Sequence, residues 1–118
     1  MRTTLFLYVS DIARSCAFYE AVFGQKPVEQ RDLFALFLLP DGQTLGLWQT
    51  GNVMPAPNGQ TGGCEIGFRC EAGDLEGEFL RWQTLGPVLM APTDLPFGRS
   101  FMIADPDGHR LRPYALAA

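Results

Sequence analysis

The chain carries one order of signals twice. Pro40-Asp41-Gly42, followed by Leu45 and Gly46, is matched at a constant offset of 66 by Pro106-Asp107-Gly108, followed by Leu111 and Arg112. Phe18 and Phe79 correspond at an offset of 61. A turn, a strand and a helix repeated in register constrain the fold strongly, because both copies must then be the same supersecondary unit. Divided between two copies, 118 residues give each about 55, too few to bury a core alone. The two are therefore expected to pack on one another as a single domain spanning residues 1–118.

In the first copy Leu5, Leu7 and Val9 alternate with Thr4, Phe6 and Tyr8, a period of two that sends the two sets to opposite faces of a strand. Asp11 then offers an N-cap, Ile12, Cys16, Tyr19 and Phe23 form an apolar helical stripe, and Gly24 supplies the stop. Short strands are predicted at residues 27–30, 34–39 and 44–49, with Pro40-Asp41-Gly42 as the hairpin turn between the last two. Residues 51–63, rich in Gly, Pro and Asn, read as a linker. The order then returns: a strand at 65–70, a helix with Leu75, Phe79 and Trp82 on one stripe and a stop at Gly86, and strands near 88–91, 100–104 and 110–115. The expectation is an α+β fold of two βαβββ modules, one about 1–50 and one about 64–118. Their strands would form a curved, barrel-like mixed sheet with the helices outside.

Nine basic residues against thirteen acidic ones leave a net charge of −4. Neither nucleic acid nor an anionic membrane is expected as a partner. Residues 1–4 lack the apolar core of a signal peptide and no apolar run is long enough to span a bilayer, so a cytoplasmic location is expected. The three cysteines, Cys16, Cys64 and Cys70, fit no disulfide framework and are expected to be reduced. Cys16 and Cys70 fall on apolar positions and read as small buried hydrophobes rather than nucleophiles. A single histidine excludes a three-histidine metal site within one chain, and no Ser-His-Asp, Cys-His or phosphate-loop pattern is present.

The segments Tyr8-Val9-Ser10-Asp11, Ser15 with Phe18-Tyr19 and Phe23-Gly24, and Phe101 with Ala104-Asp105-Pro106-Asp107-Gly108-His109 together resemble the vicinal-oxygen-chelate superfamily. This is the glyoxalase, bleomycin-resistance and extradiol-dioxygenase group, and the resemblance runs over essentially the whole chain. Within the group, Tyr8-Val9-Ser10, the strand ending at Trp48, Glu65-Ile66-Gly67 and Phe97-Gly98-Arg99 are most similar to the phenazine-antibiotic resistance proteins, binders of a planar tricyclic drug that use no catalytic metal. The resemblance implies the glyoxalase/bleomycin resistance fold and a homodimer, with or without exchange of modules.

It also implies where metal ligands of the group's enzymes would stand: Thr4, Gly46, Glu65 and Arg112. Of these only Glu65 can ligate in the ordinary way, since glycine has no donor, a threonine hydroxyl is a poor one and a guanidinium keeps its protons. No metal, no cofactor and no catalytic residue are expected. Glu65 and Arg112 are expected to pair, either as a plain cross-link or with Arg112 holding an anionic or carbonyl group of a ligand. His109 lies one residue out of phase with Arg110 and Arg112, which turns it toward the helix side, and residues 105–108 read as a turn.

Strand parity then lists the face opposite the helices: Thr4, Phe6 and Tyr8; Thr44, Gly46 and Trp48; Glu65, Gly67 and Arg69; Arg110, Arg112 and Tyr114. Gly46 and Gly67 are expected to leave room among the rings, giving a flat-walled slot. Phe97 either closes over it or anchors its own turn, Trp82 is expected in the core, and Phe34, Phe37 and Phe101 are not placed. The expected ligand-binding set is Trp48, Tyr8, Phe6, Glu65, Arg112, Tyr114 and Phe97. The function read from it is metal-independent sequestration of a planar aromatic compound such as a phenazine-type antibiotic. The alternatives are a glyoxalase- or dioxygenase-type metalloenzyme with an atypical site, and a structural or regulatory partner with a collapsed cavity.

Overall fold

Strand alternation at the start of the chain resolves as read from Phe6 onward, with Leu7 and Val9 buried and Phe6 and Tyr8 open, whereas Leu5, expected with Leu7 and Val9, is exposed near the strand's start. The computed structural model describes residues 3–117 apart from 55, 58, 60 and 61. Two units meet between Gly63 and Cys64. The first holds β1 (Thr4–Val9), α1 (Ile12–Phe23), β2 (Glu29–Gln30), β3 (Phe34–Leu38) and β4 (Thr44–Gln49). The second holds β5 (Glu65–Arg69), α2 (Leu75–Trp82), β6 (Val88–Leu95), β7 (Gly98–Ala104) and β8 (Arg110–Leu116). Each unit is α+β, with sheet orders β1-β4-β3-β2 and β5-β8-β7-β6. In both, the first and last strands pair in parallel and the others antiparallel. Parallel pairing needs a long crossover, and the helix with the two intervening strands supplies it.

Asp11 caps α1 by accepting the Arg14 N–H at 2.9 Å, and Gly24 ends it at φ 68°, a left-handed conformation that costs glycine nothing. Ile12, Cys16, Tyr19 and Val22 of the helix are buried with Leu7, Val9, Ala35, Phe37, Leu45 and Leu47 of the sheet. In unit two Trp82 is buried and meets the rings of Phe68 and Phe101 at 5.1 and 5.9 Å, so it belongs to the core as expected. Phe37 and Phe101, unplaced by sequence, are core residues of the two units.

The repeat extends to the backbone of the turns. Leu39 N–H donates to Gln43 O (2.8 Å) and Gly42 N–H to Leu39 O (2.9 Å). Sixty-six residues on, Asp105 N–H donates to His109 O (2.9 Å) and Gly108 N–H to Asp105 O (3.1 Å). Gly42 and Gly108 hold φ of 88° and 90°.

Several boundaries differ from the sequence reading. α2 stops at Trp82 rather than near Gly86, because residues 83–85 tighten into shorter turns, with Leu85 N–H on Trp82 O at 2.9 Å. β6 runs on to Leu95, past Pro92, by register shifts between Val88 and Met90 and between Met90 and Thr93. An edge strand tolerates a proline in this way. β2 keeps only two residues. A 3-10 turn, Thr50–Asn52, overlaps the start of the expected linker and Val53 within it is buried, while Pro55, Asn58, Gln60 and Thr61 lie outside the described residues, as do Met1 and Arg2 of the amino-terminal reading. Among the described residues no helix is long and apolar enough to cross a membrane.

Candidate functional site

With Leu7, Val9, Ala35, Phe37, Leu45 and Leu47 committed to α1, the alternate residues of β1, β3 and β4 must emerge on the other face of that sheet. There Phe6 and Trp48 stand 6.0 Å apart between ring centroids, Phe6 and Phe34 6.3 Å, and Phe34 and Trp48 6.4 Å with their planes nearly perpendicular. These spacings lie in the range of favourable aromatic contact. Phe6 is 45% exposed and Tyr8 37%.

Phe34 was missed by sequence reading although the hairpin contains the signal. With Leu38 opposite Thr44, the same register puts Phe34 opposite Trp48.

The room expected above Gly46 is not open. A Cβ placed on Gly46 would lie 2.6 Å from Cδ1 and Cε1 of Phe6, so the Phe6 ring rests on the bare glycine. Gly67 is covered similarly, with Tyr114 Cε1 3.2 Å from a Cβ there. The two glycines thus admit an edge of a neighbouring aromatic ring, rather than leaving vacant space.

On the corresponding face of unit two stand Glu65, Gly67, Arg69, Arg110, Arg112 and Tyr114. The ion pair expected there is present: Arg112 Nε donates to Glu65 Oε2 at 3.1 Å and Nη2 to Oε1 at 3.4 Å, while Nη1 donates to Ser100 Oγ at 3.4 Å. Both partners keep contact with solvent, so the pair contributes only about 0–1 kcal/mol to stability. Phe97, in the turn between β6 and β7, meets Tyr114 edge-on at 6.0 Å and is 42% exposed. The residues after it are structural. A Cβ on Gly98 would collide with the Ala115 carbonyl oxygen, and Arg99 is held by Glu76 (2.6 Å) and Asp94 (3.0 Å).

His109 is buried, as its phase predicts, and bonds through Nδ1 to Asp105 Oδ2 at 2.7 Å. The other oxygen of Asp105 accepts the N–H groups of Asp107 and His109 at 2.9 and 2.8 Å. This carboxylate is therefore consumed in fixing its turn, a contact the sequence reading did not foresee.

The three cysteines are free. Burial first, with Glu20 adding to it, pushes the Cys16 thiol up to about 11. Cys70 is half-buried rather than buried, and burial raises both its thiol and that of Cys64. All three are neutral and weakly nucleophilic near pH 7.

The profile of the Glyoxalase/Bleomycin resistance protein/Dioxygenase superfamily matches residues 3–112. The chain belongs to this superfamily. It is 31% identical over 111 residues to the phenazine antibiotic resistance protein EhpR of Enterobacter agglomerans, covering 90% of this chain and 84% of that protein. Among solved structures, the solution structure of ATC0852 from Agrobacterium tumefaciens is 39% identical, with a TM-score of 0.85 over 100% of this chain and 98% of that one. A glyoxalase-related enzyme from Fulvimarina pelagi, 21% identical, shares the fold with a TM-score of 0.83, covering 98% of this chain and 87% of that one.

Enzymes of this superfamily hold a divalent metal, and the donors present here do not fit one. Among the described residues no three His, Cys, Asp or Glu side chains come together. In unit one the Thr4 hydroxyl is hydrogen-bonded to that of Thr44 at 2.5 Å, and Gly46 is roofed by a phenyl ring. In unit two the single carboxylate donor, Glu65, is already occupied by a permanent cation.

Each unit also carries an open depression away from these faces. One of about 300 Å³ is lined by Asp11, Gln30, Arg31 and Asp32 among others, and one of about 320 Å³ by Leu95, Arg99 and Leu116 among others. Neither is lined by Phe6, Trp48 or Tyr114.

Proposed function

We propose that the protein binds a planar aromatic compound of the phenazine type, without a metal, and confers resistance by sequestration. The observation that carries this reading is the Phe6, Phe34 and Trp48 cluster on the face of the first sheet turned away from its helix. Large rings left in water on a sheet face are costly unless something apolar covers them, and such patches mark sites of binding. Each well-made aromatic contact adds about 0.5–1.5 kcal/mol beyond burial, and a tricycle offers several. The relative named for phenazine antibiotic resistance supports this choice of ligand class. A donor set unable to hold a divalent metal supports binding over metal-assisted chemistry.

Titration with phenazine, followed by tryptophan emission and by the absorbance of the dye, tests the proposal. Quenching is expected to saturate, and Trp48→Ala is expected to weaken the affinity measured from the dye by about tenfold. An unchanged affinity in that variant, or the absence of saturable binding, would overturn the assignment of Trp48.

A further inference from the structure

At one end of the first sheet's ring-bearing face the hydroxyl protons can be counted. Thr4 and Thr44 are cross-strand partners there, one row along from Phe6 and Gly46. The Thr44 hydroxyl donates its single proton to the Thr3 carbonyl oxygen at 3.1 Å, and the same oxygen accepts from Gln43 Nε2 at 2.8 Å. The Thr3 hydroxyl in turn donates to Gln43 Oε1 at 3.3 Å. The 2.5 Å bond between the Thr4 and Thr44 hydroxyls therefore uses the proton of Thr4, since Thr44 has none left to give.

With its proton committed, Thr4 Oγ1 has only lone pairs to offer, and among the described residues no N–H or O–H donates to them. Thr4 is exposed, whereas Thr44 is half-buried. This corner of the sheet can thus accept a hydrogen bond, but it can give one only by breaking the bond to Thr44. Phe6 follows Thr4 on the same face of β1, about 7 Å along the strand and within the length of a fused tricycle. A flat ligand laid on the Phe6 ring with its long axis along β1 brings a substituent to Thr4 while its rings stay over Phe6.

We infer that Thr4 Oγ1 is a specificity determinant of this face, accepting a hydrogen bond from an amino or hydroxyl substituent of the planar ligand. The inference rests on the proposed binding of planar aromatics and adds the polarity of the substituent they carry. A substituent that only accepts, such as an ether, sets lone pairs against lone pairs and leaves Thr4 unsatisfied beneath the ligand. An N–H or O–H instead completes the chain that runs from Thr4 through Thr44 to the Thr3 carbonyl.

A matched pair of probes tests it: 2-aminophenazine and 2-methoxyphenazine, whose substituents are both uncharged and electron-releasing but of which only the amine donates a hydrogen bond. Unsubstituted phenazine is titrated beside them. The amine is expected to bind about fivefold more tightly than the ether, as one neutral hydrogen bond implies. Thr4→Val, equal in shape but without the hydroxyl, is expected to bring the two within about twofold and to leave phenazine affinity unchanged, while Thr4→Ser keeps the preference. Because Thr4 is exposed and valine suits a strand, the substitution leaves folding intact. Equal affinities in the unaltered protein, or a preference that survives Thr4→Val, would overturn the inference. If phenazine still saturates in that case, the aromatic reading stands without the Thr4 contact; if no tricycle binds, both fall.

Discussion

Gly46→Ala isolates the role of the aromatic face with a single methyl group. The new Cβ would lie 2.6 Å from Cδ1 and Cε1 of Phe6, against an ordinary van der Waals separation of about 3.5–4.0 Å between carbons. The ring must therefore retreat by about 1 Å. It is free to do so, being 45% exposed and touching Trp48 and Phe34 only at centroid distances above 6 Å or equal to it. Replacing a strand glycine by alanine gains about 0.5–1 kcal/mol, and displacing a ring from its rotamer costs about 0.5–1.5 kcal/mol. The two nearly cancel, so the melting temperature is expected to move by less than about 4 °C. Ligand binding has no such compensation. Loss of one stacking contact, about 0.5–1.5 kcal/mol, weakens phenazine affinity by roughly two- to tenfold. Isothermal calorimetry and thermal melts read both quantities. Gly67→Ala serves as a control, since its Cβ would meet Tyr114 at 3.2 Å and asks only a few tenths of an ångström of that ring. Unchanged affinity in Gly46→Ala would refute the claim that the Phe6 ring is part of the binding surface. A large loss of stability would refute the claim that it can yield.

Asp105→Asn should destabilise the protein by about 2–4 kcal/mol in urea unfolding, because a buried carboxylate there serves two backbone N–H groups and the His109 ring. A change below about 0.5 kcal/mol would show that the turn does not depend on it. Glu65→Gln, by contrast, removes a solvent-touched pair and should change stability by less than about 1 kcal/mol in the same assay; a larger loss would mean the pair is structurally essential. The Cys16 thiol is raised from 9.0 to about 11 on folding, so the unfolded chain releases its proton first as pH rises. Its contribution to stability is full below pH 9 and is lost between about 9 and 11. Cys16→Ala should flatten that part of the stability–pH profile, and an unaltered slope would contradict the burial assigned to the thiol. For the expected homodimer, light scattering should give about twice the 13.0 kDa chain mass, and a monomer at all concentrations would exclude it.

Much of the fold was legible because it is written twice. The offset of 66 between two Pro-Asp-Gly turns placed two hairpins, and their backbone bonds repeat pair for pair. Periodicity located both helices and sent Trp82 and His109 inward correctly, since each follows from the phase of its own element. What failed depended on contacts that phase does not encode. α2 ends early because its last turn tightens, and β6 continues through Pro92 because an edge strand can bulge. The vacancy expected at Gly46 was a statement about one residue, whereas its occupant, Phe6, comes from the neighbouring strand. Phe34 was recoverable from the hairpin register but not from composition, and the partner of His109 was hidden because Asp105 had already been read as a turn residue.

The central claim is binding of a planar aromatic compound that does not depend on a metal. The direct measurement is the dissociation constant for phenazine, taken on protein treated with chelator and again after addition of zinc, nickel or iron(II). The same saturable affinity is expected in every sample, with no metal retained at stoichiometric level after dialysis. Affinity that appears only with metal, or a metal bound one to one, would contradict the account.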